Sequence, residues 1–328
     1  MQRNERMDFY KGILMFGVIW GHSITNLLAG DQNNISIHWI MRTYDMPMFM
    51  VISGYFLAFS LAKCDLKTIL KDKMTTILFP VVLWDLITTY GTSLGHLYFL
   101  WAIFLSSVIT ALIAELVKSF KIQCVLFAFV TVLLNFIPLS LWNLSYLFPF
   151  FAIGYIIGKQ NLHPMRYIGG GGVLFMLFVL LLSFWTQEYN IWNTGAYFTD
   201  FTLNSLAIVL FRYAIGFVGC WCFAFFMNIF YEYYTQHRTS VYEFVVRSGK
   251  ETLALYILQD IFLFKIVKNL MLFLSKEMGY NPLNSNEAIL GYVIAPVLSL
   301  SLLFLLMKMI QVTKSCKYTK YAFGGKFF

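Results

Sequence analysis

Long apolar segments separated by short polar ones dominate the chain. A helix of about 17 to 25 mostly apolar residues is long enough to cross the hydrocarbon core of a lipid bilayer. Ten segments have this length and character, and together they predict a multi-pass helical membrane protein. Their approximate bounds are 9–29, 44–62, 74–93, 97–117, 122–139, 142–158, 168–186, 203–230, 252–274 and 288–309.

The composition supports the same fold class. Of the 328 residues, 59% are apolar and only 12% are charged, which is far from the balance of a soluble globular domain. We therefore predict an all-α, polytopic integral membrane protein, with residues 1–328 forming a single transmembrane domain. The eighth segment, 203–230, is long enough to tilt or to extend beyond the lipid. Five scattered cysteines have no metal-ligand spacing, so no metal is expected.

The distribution of lysine and arginine predicts the orientation. With ten spans, only Arg42 and Lys276 fall in one set of loops, whereas the other loops and the two ends of the chain hold nearly all remaining basic residues. Cytoplasmic loops of membrane proteins carry this excess, so both termini are expected in the cytoplasm. The net charge of +8 is then mainly a topology signal. It is not read as a sign of nucleic-acid binding.

The first apolar segment contains a lysine and a histidine with a regular spacing. Lys11 and His22 are eleven positions apart, which is about three turns of an α-helix, so both side chains lie on one helix face. Ionisable groups inside a membrane span usually face protein or water and mark functional sites. The alternatives are that Lys11 extends to the cytoplasmic surface and that His22 is a neutral, hydrogen-bonded interior residue.

Four further ionisable residues lie within or at the edge of predicted spans, and each has a structural alternative. They are Asp45, Asp85, Arg212 and Asp260. Asp45 follows Arg42 at the spacing of an ion pair, and Asp85 fits a structural hydrogen bond. Arg212 would serve to neutralise a buried carboxylate. Asp260 would join Tyr256 and Gln259 in a hydrogen-bonded patch between helices.

Two polar groups outside the spans are also candidates. His96, at a short outer turn, is placed to touch a ligand on the outer side, or only the membrane interface. Four lysines between the second and third spans would attract the phosphates of a cytosolic cofactor, although orientation alone also explains them. These lysines are Lys63, Lys67, Lys71 and Lys73. Ser53 precedes Gly54, where a second helix is expected to approach closely.

Six segments of the chain stand out, in this order: Asp8–Ser23 with its basic residue, ten-residue spacer and histidine, then Asp45–Phe56, Leu78–Trp84, Gly95–Trp101, Phe148–Gly158 and Gly249–Tyr256. Together they resemble signatures of the membrane acyltransferase 3 family, in particular its fucose 4-O-acetylase-like branch. The chain departs from the family pattern in having Lys11 where arginine is frequent and Tyr98 where tryptophan is frequent. Gln259 stands where histidine is frequent.

The resemblance implies transfer of an acyl group from a cytosolic acyl-CoA to a carbohydrate hydroxyl, by a multi-pass protein of the bacterial cytoplasmic (inner) membrane. Acetyl-CoA is the expected donor and co-substrate, with succinyl as the alternative acyl group. The acceptor is expected to be a lipid-linked or cell-surface glycan. His22 would be the general base, Lys11 would bind a donor phosphate or offset charge, and Asp45 or Asp85 would set the imidazole tautomer.

The polar residues singled out above are also candidates for binding on the two sides of the reaction. The acceptor-binding candidates are Asp85, His96, Arg212, Tyr256 and Ser53, and the donor-binding candidates are Lys11, Lys63, Lys67, Lys71 and Lys73. Direct transfer and an acyl-histidine intermediate both remain open. Two other classes are a transporter or flippase that uses the same buried charges, and a non-catalytic anchor for a glycan assembly complex.

Overall fold

The structure, a computed structural model, describes residues 4–28, 35–90, 97–137, 143–161, 170–186, 189, 202–278, 287–315 and 322–323. Within these ranges the regular structure is helical and contains no β-strand. The helices are α1 (Glu5–Leu27), α2 (Ser36–Leu61), α3 (Leu66–Lys73), α4 (Phe79–Thr88), α5 (Tyr98–Leu116), α6 (Phe120–Phe136), α7 (Leu144–Lys159), α8 (Gly171–Ser183), α9 (Leu203–Gln236), α10 (Ser240–Lys250), α11 (Thr252–Asp260), α12 (Lys268–Met278), α13 (Glu287–Ile289) and α14 (Ala295–Ser315). Three π-helical turns join α3 to α4, α11 to α12 and α13 to α14, at Met74–Leu78, Ile261–Val267 and Leu290–Ile294.

Each predicted apolar segment falls on helix, which confirms an all-α membrane protein; the number of spans and the position of the termini stay predictions. In the described residues, four helices are long and apolar enough to cross a membrane: Ser36–Leu61, Tyr98–Leu116, Leu203–Gln236 and Glu287–Thr313. At about 1.5 Å per residue, the 34 residues of α9 extend over about 51 Å, more than the roughly 30 Å hydrocarbon core. This length agrees with the expectation that the eighth segment tilts or continues beyond the lipid.

The chain divides into two compact units. The first contains Met1–Asp45 and Met227–Gly325, and the second is formed mainly by Met46–Phe226. In the first unit, α1 packs against α10, α14 and α11. The contact with α10 is very close, because a Cβ on Gly249 would overlap the backbone carbonyl of Asp8 and one on Gly12 would overlap that of Val245.

Polar contacts hold the first turns of α1 in place. Asn4 caps the helix by accepting a hydrogen bond from the Met7 amide at 3.3 Å. Arg6 donates to Asn228 at 2.8 Å and also pairs with Glu232. The Tyr242 hydroxyl donates to Glu5, and because burial raises the pKa of Tyr242 to about 12, the phenol keeps that proton at physiological pH.

The other end of α1 lies in an apolar cluster with the start of α2 and the residues around α13. The buried members of this cluster are Ile24, Leu27, Leu28, Ile35, Met41, Leu290 and Ala295. Hydrogen bonds supplement the apolar contacts, since Trp20 donates to the Gly291 carbonyl at 3.0 Å and Ser299 to Ser23 at 3.0 Å. Both ends of α1 are therefore fixed, and the position of His22 between them is well defined.

In the second unit, α2 and α7 approach each other closely through glycines. A Cβ on Gly54 would overlap the Phe151 carbonyl, and one on Gly154 would overlap the Val51 carbonyl. Four residues further along α7, a Cβ on Gly158 would lie 2.6 Å from a carbonyl oxygen of α2. Small residues at such spacing let helices pack backbone to backbone in lipid. The expected close approach at Gly54 is confirmed.

Candidate active site

His22 is a buried residue of α1 whose ring is held by a neighbouring helix. Only 6% of its surface is exposed, and its Nδ1 lies 2.8 Å from Oε1 of Gln259 on α11. The amide of Gln259 is itself oriented, because its Nε2 donates to the Tyr256 carbonyl at 3.2 Å. A carbonyl oxygen can only accept, so Nε2 must face Tyr256 and the oxygen Oε1 must face the imidazole.

This arrangement defines the tautomer of His22. Since Oε1 of Gln259 is an acceptor, the hydrogen atom is on Nδ1 and the lone pair of the neutral ring is on Nε2. Two further contacts restrict the residue. The Phe264 ring packs edge-on against the imidazole, with 5.2 Å between the ring centroids, and Asn26 donates to the His22 carbonyl at 2.7 Å. The partner of Nδ1 is thus an amide, where the sequence had led us to expect the carboxylate of Asp45 or Asp85.

A second histidine and an arginine lie next to the same part of α1. His38 and Arg42 are one turn apart on α2, and they meet α1 at Gly21, the residue before His22. A Cβ on Gly21 would lie 3.7 Å from His38 Nδ1 and 4.0 Å from Arg42 Nε. The His38 imidazole is within electrostatic range of both Arg42 and His22.

Lys11 lies on the same helix as His22, as predicted, and forms an ion pair. Its Nζ is 2.8 Å from Oδ1 of Asp8, one turn earlier on α1, and the Asp8 side chain is only 3% exposed. The eleven-residue separation places Lys11 and His22 on one face, about 16 Å apart along the helix axis. The lysine charge is therefore balanced locally by a buried carboxylate.

The remaining predicted residues fall in both units. Asp45 and Tyr256 are buried in the first unit, which also contains His22 and the half-buried Lys11. Asp85 belongs to the second unit, where it accepts hydrogen bonds from the Leu97 amide at 2.9 Å and from Trp101 Nε1 at 2.7 Å. These contacts correspond to the structural alternative that the sequence offered for Asp85.

The remaining candidates of the second unit differ in their contacts and exposure. Arg212 donates through Nε to the Tyr189 carbonyl at 2.9 Å, and Ser53 is half-buried on α2. Three of the four lysines are exposed and Lys73 is half-buried; those at positions 67 and 71 are one turn apart on α3. His96 lies outside the described residues. In the described part of the chain, no three His, Cys, Asp or Glu side chains come together as a metal site.

Sequence reasoning missed two residues of this region. Gln259 was expected in a hydrogen-bonded patch with Tyr256 and Asp260, but its contact with His22 was not predicted, although the residue is fully buried. His38 was not considered, because the predicted second span begins at 44 whereas α2 begins at Ser36. The spacing of His38 and Arg42 at i, i+4 would have placed both on one helix face if the helix had been extended that far.

The helices and the buried, hydrogen-bonded histidine define a helical membrane protein with a candidate acid–base residue in its first helix. The profile of the acyltransferase 3 family, described as an acyltransferase domain, matches residues 4–308. The match covers nearly the whole chain and includes every residue of the site just described. The chain belongs to this family and is a membrane acyltransferase.

Two curated relatives are similar to the chain at low identity. The nodulation protein NolL of Mesorhizobium japonicum is 24% identical over 297 residues, which cover 78% of this chain and 76% of the relative. The nodulation protein NolL of Sinorhizobium fredii is 27% identical over 184 residues, which cover 48% of this chain and 49% of the relative. The match with the Sinorhizobium protein thus spans about half of its length. No solved structure matches the chain.

Proposed function

We propose that the protein is an O-acetyltransferase of the bacterial cytoplasmic membrane. It would transfer an acetyl group from cytosolic acetyl-CoA to a hydroxyl of a cell-surface or lipid-linked glycan. Membership of the acyltransferase 3 family supports the reaction type. The observation that carries the residue assignment is the hydrogen bond between His22 and Gln259, which leaves the imidazole lone pair on Nε2.

His22 would act as a general base. A sugar hydroxyl is a weak nucleophile at neutral pH, and a positioned base accelerates its attack by about 10² to 10⁴-fold. Nε2 would remove the hydroxyl proton while the sugar oxygen attacks the thioester carbonyl. The tetrahedral intermediate would then expel the CoA thiolate, which takes the proton back from Nε2 and leaves as CoA thiol. The products are the acetylated glycan and CoA, with His22 returned to its neutral form.

The donor would be bound near the cytoplasmic end of α1. The Lys11–Asp8 pair is about three turns from His22, a separation of about 16 Å, which suits contact with part of an extended CoA molecule. Lys67 and Lys71 are exposed in the second unit, and attraction of donor phosphates by their charge is a separate prediction, independent of the contact proposed at α1. Asp45 would support the imidazolium that forms when His22 takes the proton, since Gln259 is neutral.

Transfer of radiolabelled acetyl groups by the purified protein in lipid nanodiscs tests this proposal. With acetyl-CoA and candidate glycans, the wild type should give acetyl-glycan, and His22→Ala should lower its rate by about 10² to 10⁴-fold at normal membrane abundance. His237→Ala is the matched control, because His237 is an exposed histidine. Retained activity in His22→Ala would refute the assignment, and movement of solute without acetylation would point to a transporter.

Incubation with labelled acetyl-CoA alone distinguishes the two chemical routes. An acyl-histidine intermediate would appear as protein-bound label that is absent in His22→Ala, with the thioester carbon bonded to Nε2 and CoA thiol released. Direct transfer would leave the protein unlabelled throughout, and the label would appear only in the glycan after a glycan is added.

A further inference from the structure

Arg42 and His38 form a polar cluster for which the described protein supplies no complete set of partners. Nη1 of Arg42 and Nδ1 of His38 are both buried, and neither has a hydrogen-bond partner among the described residues. His38 is only 2% exposed, so solvent does not replace the missing partner.

Such an arrangement is costly in the protein alone. Buried polar groups are almost always hydrogen-bonded, and a buried donor without a partner is destabilising. Intramembrane arginines accordingly pair with carboxylates, backbone carbonyls or substrates. A guanidinium with a free N–H donor therefore indicates that an anion completes the site when a ligand binds.

Along α1, the cluster is distant from Lys11, the residue proposed to contact the donor. Arg42 and His38 contact α1 at Gly21, ten residues and about 15 Å along the helix from Lys11. The lysines proposed to bind CoA are in a predicted cytoplasmic segment. The cluster instead adjoins the residue next to the proposed base, where the acceptor must be held.

We propose that Arg42 and His38 bind an anionic group of the acyl acceptor, a carboxylate or a phosphate, beside His22. The inference rests on the proposed function for the identity of the ligand as the acceptor. The guanidinium presents paired N–H donors that match carboxylate and phosphate oxygens, and such charge-assisted bonds are stronger than neutral ones. The imidazole of His38 supplies a second polar contact one turn earlier on the same helix. The acceptor is thus an acidic glycan or a glycan on a phosphate-bearing lipid.

Ligand-induced thermal stabilisation of the full-length protein tests this inference without turnover. The protein is placed in phosphatidylcholine nanodiscs, whose lipid has no net charge, and is heated with D-glucuronate, inorganic pyrophosphate or D-glucose at one ionic strength. Glucuronate or pyrophosphate should raise the unfolding temperature, and the more effective anion indicates whether a sugar carboxylate or a carrier phosphate is recognised. Equal effects of both anions and neutral glucose on the wild type would overturn the inference.

Variants locate the effect at Arg42. Arg42→Gln should weaken binding of the stabilising anion by about tenfold to a hundredfold, whereas Arg42→Lys, which keeps the charge but loses the planar fork, should weaken it less. Arg247→Gln is the control, because this exposed arginine pairs with Glu243 on the protein surface. An unchanged shift in Arg42→Gln would refute the assignment. The comparison of anions on the wild type is independent of how well any variant folds.

Kinetics separates this inference from the proposed function. With an acidic acceptor, Arg42→Gln should raise KM for that acceptor and leave kcat nearly unchanged. A fall in kcat at unchanged KM would place the guanidinium at the reacting carbonyl oxygen, and the inference would be wrong. If the wild type transfers no acetyl group but still binds the anion through Arg42, the proposed function fails and the anion site stands.

Discussion

Replacement of Gln259 by leucine tests the proposed control of the His22 tautomer. Leucine has about the same size but cannot accept the hydrogen bond from Nδ1, which is made at 2.8 Å in a buried environment. The net stabilisation from this hydrogen bond, about 1 kcal/mol, keeps the tautomer with its hydrogen on Nδ1 in roughly fivefold excess. An unsatisfied buried N–H group costs a further 1 to 3 kcal/mol or so, which the ring would relieve by turning or by moving its proton to Nε2.

Both effects would take the Nε2 lone pair of His22 away from its proposed catalytic position. We expect kcat to fall about 10- to 100-fold, which corresponds to about 1.4 to 2.7 kcal/mol of lost transition-state stabilisation. KM for acetyl-CoA should change little, because the two polar ends of the amide are used by His22 and by the Tyr256 carbonyl. The assay is acetyl transfer by purified protein in nanodiscs, with donor and acceptor varied separately.

Two further variants make this experiment specific. Gln259→Glu keeps an oxygen acceptor for Nδ1 and should retain more activity than Gln259→Leu, which a purely steric role would not predict. Gln236→Leu, at the exposed end of α9, controls for the change of residue type. If Gln259→Leu accumulated normally and its kcat stayed within twofold of the wild type, the reasoning about the tautomer would be refuted.

Two other predictions concern residues that hold the protein together. Asp85→Asn should lower the unfolding temperature and leave KM and kcat of the folded fraction unchanged, because Asp85 bonds Leu97 and Trp101 within the second unit; altered KM for a glycan would instead support a binding role. Gly249→Ala should sharply reduce the amount of folded protein in the membrane, because the added Cβ would overlap the Asp8 carbonyl. Such overpacking costs about 1 to 3 kcal/mol or more. Ser248→Ala on the same helix, measured by the same fluorescence-detected size-exclusion assay, is the comparison, and equal yields of the two variants would contradict this prediction.

Hydropathy identified the long helices because a span must be apolar over nearly its whole length. It was less able to define their ends. The second helix begins at Ser36, eight residues before the predicted span. His38 and Arg42 lower the hydropathy of this first part, while its packing beside Gly21 keeps it helical. The short helices α3 and α10 lie outside the predicted spans, because an amphipathic segment of this length carries no membrane signal.

The candidate site was predicted in part for a related reason. A histidine deep in an apolar segment is conspicuous in a sequence, so His22 was recognised directly. Its partner Gln259 was not recognised, because a carboxylate was the group expected to orient the ring. The π-helical turn Ile261–Val267, which begins just after Gln259 and brings Phe264 against the imidazole, has no clear sequence pattern. Such turns are frequent at functional sites, but they depend on tertiary packing.

The choice of an amide beside His22 follows from the cost of charge in the membrane. A glutamine side chain can accept from Nδ1 and donate to the Tyr256 carbonyl at the same time, so both of its polar ends are satisfied. A carboxylate at the same place could not donate to that carbonyl, and its burial would require a counter-charge. Gln259 can therefore set the tautomer at low cost, but it cannot neutralise the imidazolium that forms during proton transfer. In the first unit, Asp45 is a buried carboxylate, and its role in stabilising that transient charge stays a prediction.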